Sequence, residues 1–194
     1  MSARNARAGT TETSTAFPIA PRGELGYRRA DVDTFLGRAR ATYEGAGGDD
    51  PVTASELRRT SFPLVKSGYS ARFVDAAIDR LEEIFFERER RAFVQEHGMG
   101  EWETEVRAIV ADVRGRITRP RGKRFRRRGL FATGYKRSQV DAFVDRITGL
   151  LDGSAPLSTG EVREVMFHSE WRGYDEDQVD ALLDSVVELV LASR

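Results

Sequence analysis

Three pairs of aspartates stand four residues apart, Asp75/Asp79, Asp141/Asp145 and Asp180/Asp184. On a helix that spacing puts both carboxylates on one face. Such a face could ligate a hard cation or divide acid and base roles between its members. The neighbouring residue types support neither use. His97 and His168 are the only histidines, and neither completes a ligand set on those helices, so solvated faces are the expected reading. No phosphate-cradling glycine loop, nucleophile elbow or zinc signature occurs. The expectation is a non-enzymatic protein with no metal, no cofactor and no small-molecule substrate.

Two other groups have binding chemistry. Trp171 lies between charged residues and a glycine, which suits an interfacial anchor on a loop tip, or equally a plug between two repeats. The basic run Arg119, Arg121, Lys123, Arg124, Arg126, Arg127 and Arg128 is dense enough to attract anionic lipid or nucleic acid by counterion release. A solvated linker explains the same run. Phe125 inside it could insert into lipid or stack on a base, and the acidic excess of the C-terminal segment could meet the run in self-association.

The elements that must position these residues are written in a fourfold repeat. Gly26-Tyr27, Gly68-Tyr69, Gly134-Tyr135 and Gly173-Tyr174 are each followed at one fixed offset by Val32-Asp33, Val74-Asp75, Val140-Asp141 and Val179-Asp180. Self-similarity of this kind sets the architecture. Glycine tolerates positive φ and marks a corner. With the next residue as N-cap (Arg28, Ser70, Lys136, Asp175), tyrosine and valine occupy the two positions of a hydrophobic staple, Tyr27 with Val32, Tyr69 with Val74, Tyr135 with Val140 and Tyr174 with Val179. Ser70 and Asp175 are the better caps by residue type, and Asp175 with Gln178 resembles a capping box. The four aspartates near helix starts suit the macrodipole.

The copies alternate between two types. In repeats two and four, Thr53-Ala-Ser-Glu56 and Ser158-Thr-Gly-Glu161 predict a short preceding helix. Phe62 and Phe167 lie six residues before their glycines, whereas Phe17 and Phe125 lie nine before theirs. All four phenylalanines are expected in the core. The Gly-Tyr steps of 42, 66 and 39 residues point to a duplicated pair of unlike repeats separated by an insertion.

At 194 residues the chain has room for one ordinary domain or two small ones. It carries no formal net charge and no cysteine, which excludes disulfides and thiolate metal sites. No cleavable apolar signal or membrane-spanning run is present, so a soluble cytoplasmic protein is expected. Arginine outnumbers lysine by 28 to 3, an imbalance given no functional weight.

The chain divides into a disordered tail over 1–15, repeat one over 16–45 and repeat two with an extended helix over 52–97. An inserted helix follows over 98–118, then a basic linker over 119–128, repeat three over 129–152 and repeat four over 157–194. The extended helix carries Val74, Ile78, Leu81, Phe85 and Ala92 as a short coiled-coil-like stripe that Arg88 interrupts. Trp102, Val106, Ile109, Val113 and Ile117 mark the inserted helix, expected to fold back as a hairpin. The fold class is all α: four short helix-loop-helix repeats in two pairs with a central helical hairpin.

The segment Leu157-Ser-Thr-Gly-Glu-Val-Arg through Phe167, Trp171-Arg-Gly-Tyr-Asp-Glu-Asp-Gln-Val-Asp180 and Leu182-Leu183-Asp184 resembles the N-terminal lipid-binding domain of the DivIVA family. Repeat two matches through Thr53, Glu56, Leu57, Phe62 and Gly68-Tyr69. Repeats one and three match chiefly after Gly-Tyr. The resemblance implies a coiled-coil scaffold that gathers at negatively curved bacterial membranes, at poles and septum, and recruits growth or division proteins. It implies bilayer contact by an aromatic and an adjacent arginine before Gly-Tyr, here Trp171 and Arg172. The corresponding places are Lys66-Ser67, Glu24-Leu25 and Ala132-Thr133 in the other repeats. It further implies association of two copies through their post-Gly-Tyr helices, so repeats one with two, and three with four, are expected to pair within the chain.

Membrane contact is therefore expected at Trp171 and Arg172 with Arg124, Phe125, Arg126, Arg127 and Arg128, on an anionic surface held weakly and peripherally. Partners would be proteins of division or polar growth, with self-association possible. Two alternatives stand beside this: a nucleic-acid-associated helical protein that uses residues 119–128, and a protein-interaction module without lipid binding.

Overall fold

The computed structural model describes residues 17–193, so the tail expected over 1–15 lies outside the described residues. The chain forms two compact units, residues 1–89 and 90–194. Unit 1 contains β1 (Leu25–Tyr27), α1 (Arg29–Tyr43), α2 (Ala54–Arg59), β2 (Leu64–Lys66) and α3 (Ala71–His97) as far as Glu89. Unit 2 contains the end of α3, then α4 (Met99–Ile117), β3 (Thr133–Tyr135), α5 (Arg137–Leu151), α6 (Thr159–Arg163), β4 (Ser169–Trp171) and α7 (Glu176–Ala192). The described residues are thus mostly helical, with two small two-stranded sheets.

Each long repeat helix begins one residue past the N-cap position that the Gly-Tyr spacing predicts. The valines five residues past each tyrosine, Val32, Val74, Val140 and Val179, are at most 1% exposed. Each such burial contributes about 1.5–3 kcal/mol. Arg28 and Lys136 offer no side-chain cap. Asp175 makes none either, because its carboxylate is turned to Arg126, and Gln178 Oε1 accepts from Arg126 N–H at 3.0 Å. The upstream start signals do cap: Thr53 Oγ1 accepts from Glu56 N–H at 3.1 Å, and Ser158 with Glu161 forms a complete capping box.

On α3 the buried line runs through Val74, Ile78, Glu82, Phe85 and Phe86, so the stripe expected through Leu81 and Ala92 is rotated. The reason is ionic. Glu82 is fully buried because Arg58 Nε, on α2, donates to it at 2.8 Å. Gly98, at φ 89°, separates α3 from α4, and Trp102 meets Phe93 edge-on at 5.9 Å between ring centroids. The inserted helix therefore folds back on the end of α3. It packs on α5 and α7, burying Val113 and Ile117 beside a core that includes Val144, Ile147, Leu182 and Val186.

The strands were not expected, since three residues around a glycine carry no readable alternation. β1 pairs antiparallel with β2, Gly26 opposite Val65, and β3 with β4, Gly134 opposite Glu170. A third segment joins each ladder. Ala20 N–H donates to Gly68 O at 2.9 Å and Ser70 N–H to Pro18 O at 2.8 Å. In unit 2, Arg128 N–H donates to Gly173 O at 2.9 Å and Asp175 N–H to Arg126 O at 2.8 Å. The end of the supposed basic linker is thus a sheet element of repeat three, at the place that Pro18–Ala20 takes in repeat one.

The Gly-Tyr glycines are required by close approach rather than by corner geometry. None of the four has positive φ. A Cβ on Gly26 would collide with the backbone of Gly68 and Tyr69, and one on Gly134 with Tyr174 O. Positive φ falls instead on the residue before the second glycine of each unit, Ser67 at 56° and Arg172 at 53°.

Candidate functional site

In each unit the two repeats exchange their side chains. Tyr27 and Tyr69 trade N–H to O bonds across the ladder at 2.8 Å in both directions, and Tyr135 and Tyr174 do so at 3.0 and 2.8 Å. The hydroxyls then cross. Tyr69 Oη donates to Asp33 Oδ2 at 3.3 Å and Tyr174 Oη to Asp141 Oδ1 at 3.0 Å, while Tyr27 bonds Asp75 and Tyr135 bonds Asp180. Every repeat aspartate thus serves the tyrosine of the other repeat.

The phenylalanines cross as well. Phe17 meets Tyr69 at 5.5 Å, Phe62 meets Tyr27 at 5.4 Å, Phe125 meets Tyr174 at 5.2 Å and Phe167 meets Tyr135 at 5.2 Å between ring centroids. Of the four phenylalanines expected in the core, Phe125 is buried and Phe17, Phe62 and Phe167 are half-buried, and the staple spacing does not reveal where the tyrosines find their other partners. Their hydroxyl and ring partners come from the other repeat.

Partial desolvation sets the electrostatics of this interlock, in which Tyr174 and Asp141 are buried and Asp75 and Asp180 stay exposed. Desolvation pushes the Tyr27, Tyr135 and Tyr174 hydroxyls above the usual phenol range. It also raises Asp75 and Asp180, against the tyrosine bonds that lower them, and Asp79 and Asp184 add like-charge repulsion.

The basic run is largely consumed by unit 2 itself. Arg124 is 7% exposed and donates to Asp141 O and Asp145 Oδ1, both at 2.7 Å. Arg121 also pairs with Asp145. Burial pushes Asp145 up, but these guanidinium bonds outweigh it and hold the carboxyl below its usual range. Arg126 donates to Asp175 Oδ2 at 2.8 Å and Arg128 reaches the same oxygen at 3.5 Å. Arg127 donates to Gly122 O at 3.2 Å. Phe125 is 5% exposed. Arg124 and Phe125 are therefore corrected from membrane-contact residues to interior ones, and the Asp141/Asp145 pair from a solvated face to a guanidinium clamp. Arg126 and Arg127 keep exposed side chains. The shared register of Phe17 and Phe125 was the signal that placed this run inside a repeat.

At the tip of unit 2 the situation is opposite. Trp171 closes β4 and is 58% exposed. Arg172 follows in the left-handed region and makes no ion pair among the described residues. Glu170, the neighbouring acid, is occupied by Arg137, whose backbone N–H donates to it at 3.0 Å and whose Nε does so at 3.2 Å. Two exposed residues that the motif did not flag, Leu130 and Phe131, precede β3. Among the described residues no cluster of metal-ligating side chains occurs, and no helix is long and apolar enough to cross a membrane.

Comparison of the chain with protein-family models, with curated proteins and with solved structures finds no match.

Proposed function

We propose that this protein is a non-enzymatic, DivIVA-like scaffold that binds the bacterial cytoplasmic membrane peripherally, at poles or septum, and recruits proteins of division or growth. The observation that carries the reading is the Trp171-Arg172 tip. An indole more than half exposed, 58%, stands beside a guanidinium with no acidic partner among the described residues, on backbone that the interlock below it holds in place. Trp favours the headgroup level of a bilayer, and an adjacent cation adds attraction to anionic lipid. One such anchor is weak, so several copies would have to act together. The pairing of unlike repeats, which the resemblance implies, supports it too, since each unit joins two copies of the motif through a ladder.

The rival nucleic-acid reading loses its main support, because most of the basic run answers Asp141, Asp145 and Asp175 within unit 2.

Co-sedimentation with anionic and neutral vesicles tests the proposal. Binding to anionic vesicles that falls with salt and with Trp171→Ala is the expected result. Indifference of the wild type to both vesicle types at low salt would overturn it.

A further inference from the structure

Two backbone segments meet at the exposed end of unit 2. Ala132 N–H donates to Gly129 O at 3.1 Å, closing a tight turn with Leu130 and Phe131 at its corners. Arg172 N–H donates to Ala132 O at 3.1 Å, and Thr133 is the Cα partner of Trp171 in the β3–β4 ladder. The Leu130-Phe131 turn thus lies next to the backbone of Trp171-Arg172, and Leu130, Phe131 and Trp171 are 61%, 91% and 58% exposed. The fold does not require an aromatic at that corner. Unit 1 has a hydrogen-bonded turn at the corresponding place, with Glu24 N–H donating to Pro21 O at 3.0 Å, but of a different type: its corners are Arg22 and Gly23, and Gly23 stands at φ 98° where Phe131 has no positive φ; Lys66-Ser67 stand where unit 2 has Trp171-Arg172.

We propose that the tip of unit 2 is a two-pronged wedge for an anionic bilayer surface, with the Leu130-Phe131 turn as one prong and Trp171 as the other. Arg172 lies between them at headgroup level. Unit 1 takes no part in lipid contact. This rests on the membrane reading above and adds to it an insertion element that the Gly-Tyr motif does not contain. The occupant follows from shape and charge. Leu130 and Phe131 occupy the corners of an exposed turn and Trp171 ends a strand, an arrangement that fits a medium that parts around exposed apolar groups. Glu170, next to Trp171 in the chain, is already paired with Arg137. A convex apolar tip with a free cation matches the interfacial region of a membrane.

The chain contains no cysteine, so a single environment-sensitive fluorophore can be placed at Phe131→Cys or, as the unit 1 control, at Arg22→Cys. The probe is vesicles of phosphatidylglycerol with phosphatidylcholine, against phosphatidylcholine alone. The expected result is a blue shift at position 131 with anionic vesicles only, and none at position 22. Phe131→Ser should weaken vesicle binding by about tenfold with an unchanged thermal melt, as Trp171→Ala does. If vesicles bind and Trp171→Ala weakens them while the label at 131 stays silent and Phe131→Ser binds as wild type, the wedge falls and the membrane reading stands. An equal shift at position 22 would overturn the restriction to unit 2. Absence of binding to either vesicle type ends both, and assigns the exposed tip to a protein partner.

Discussion

Tyr174 donates its hydroxyl to Asp141 Oδ1 at 3.0 Å, from repeat four into repeat three, and Tyr69 reaches Asp33 in the same sense from repeat two into repeat one at 3.3 Å. A lone repeat would leave its tyrosine hydroxyl and its phenylalanine without these partners. The unit of folding is therefore the pair. The 0% exposure of Tyr174 gives its hydrogen bond weight, because a buried hydroxyl that loses its acceptor bears the full desolvation cost.

Tyr174→Phe should destabilise unit 2 by about 1–3 kcal/mol, read as a lower denaturant midpoint. Asp141 keeps Gly122 N–H at 2.7 Å, so the carboxylate is not abandoned. A double-mutant cycle with Asp141→Asn should return a coupling energy of either sign above about 0.5 kcal/mol. Additivity within error would sink the crossed bond as a contributor.

The same substitution should have opposite effects at two glycines. A Cβ at Gly134 meets Tyr174 O inside contact distance and cannot be relieved without parting the ladder, so Gly134→Ala is expected to cost about 3 kcal/mol, the upper end of the usual overpacking range. Gly37 lies within α1 with nothing within 4 Å of an added Cβ, and Gly37→Ala should stabilise by up to about 1 kcal/mol. Urea unfolding of both variants beside the wild type decides the matter.

This contrast shows what the sequence makes legible. Recurrence at fixed offsets marks the tyrosines, valines and aspartates and the starts of the four long helices; the association of repeat one with two and three with four is an implication of the resemblance. Spacing has no direction, however, so it sets each tyrosine beside its own helix start and does not show the aspartate and phenylalanine that it meets in the other repeat. The glycines were read through φ because a single sequence shows torsional permissiveness more readily than the approach of two backbones. The strands were missed because three residues cannot display a period. Leu130 and Phe131 fall outside the repeated motif, so nothing in its spacing marks them; the Gly129–Ala132 turn and the Arg172 N–H to Ala132 O bond set their backbone next to that of Trp171-Arg172.

The buried pair in unit 1 offers a third test. Arg58 and Glu82 have side chains 9% and 1% exposed and meet at 2.8 Å. In unit 2 the place of Glu82 is taken by Val187, 13 residues past its tyrosine as Glu82 is past Tyr69. Removing one charge of such a pair costs about 3–5 kcal/mol, whereas replacing both by apolar groups is often neutral. Glu82→Val alone should therefore unfold unit 1 at markedly lower denaturant, and Arg58→Met added to it should recover most of the loss. Failure to recover would mean that Arg58 is needed by contacts beyond Glu82.

Two aspartates of unit 2 should give its stability opposite pH dependences. Arg126, hydrogen-bonded to Asp175, holds that carboxyl below its usual range against desolvation. Its contribution is complete above the unfolded value and is lost as pH falls through the folded one. Asp180 is displaced the other way: burial raises it, the Tyr135 bond lowers it and Asp184 raises it further. The fold favours its protonated form, so its contribution is complete below the unfolded value and disappears as pH rises through the folded one. Melting curves between about pH 3 and 7 should show an acid limb that Asp175→Asn flattens and a shoulder above the ordinary carboxylate range that Asp180→Asn removes. Tyr135→Phe should move the Asp180 carboxyl further up, because it deletes the one contact that favours the anion, and carbon-detected NMR titration reads that shift directly. An Asp180 that titrates where a free aspartate does, in wild type and variant alike, would show that the Tyr135 crossing and the neighbouring Asp184 do not set its environment in solution.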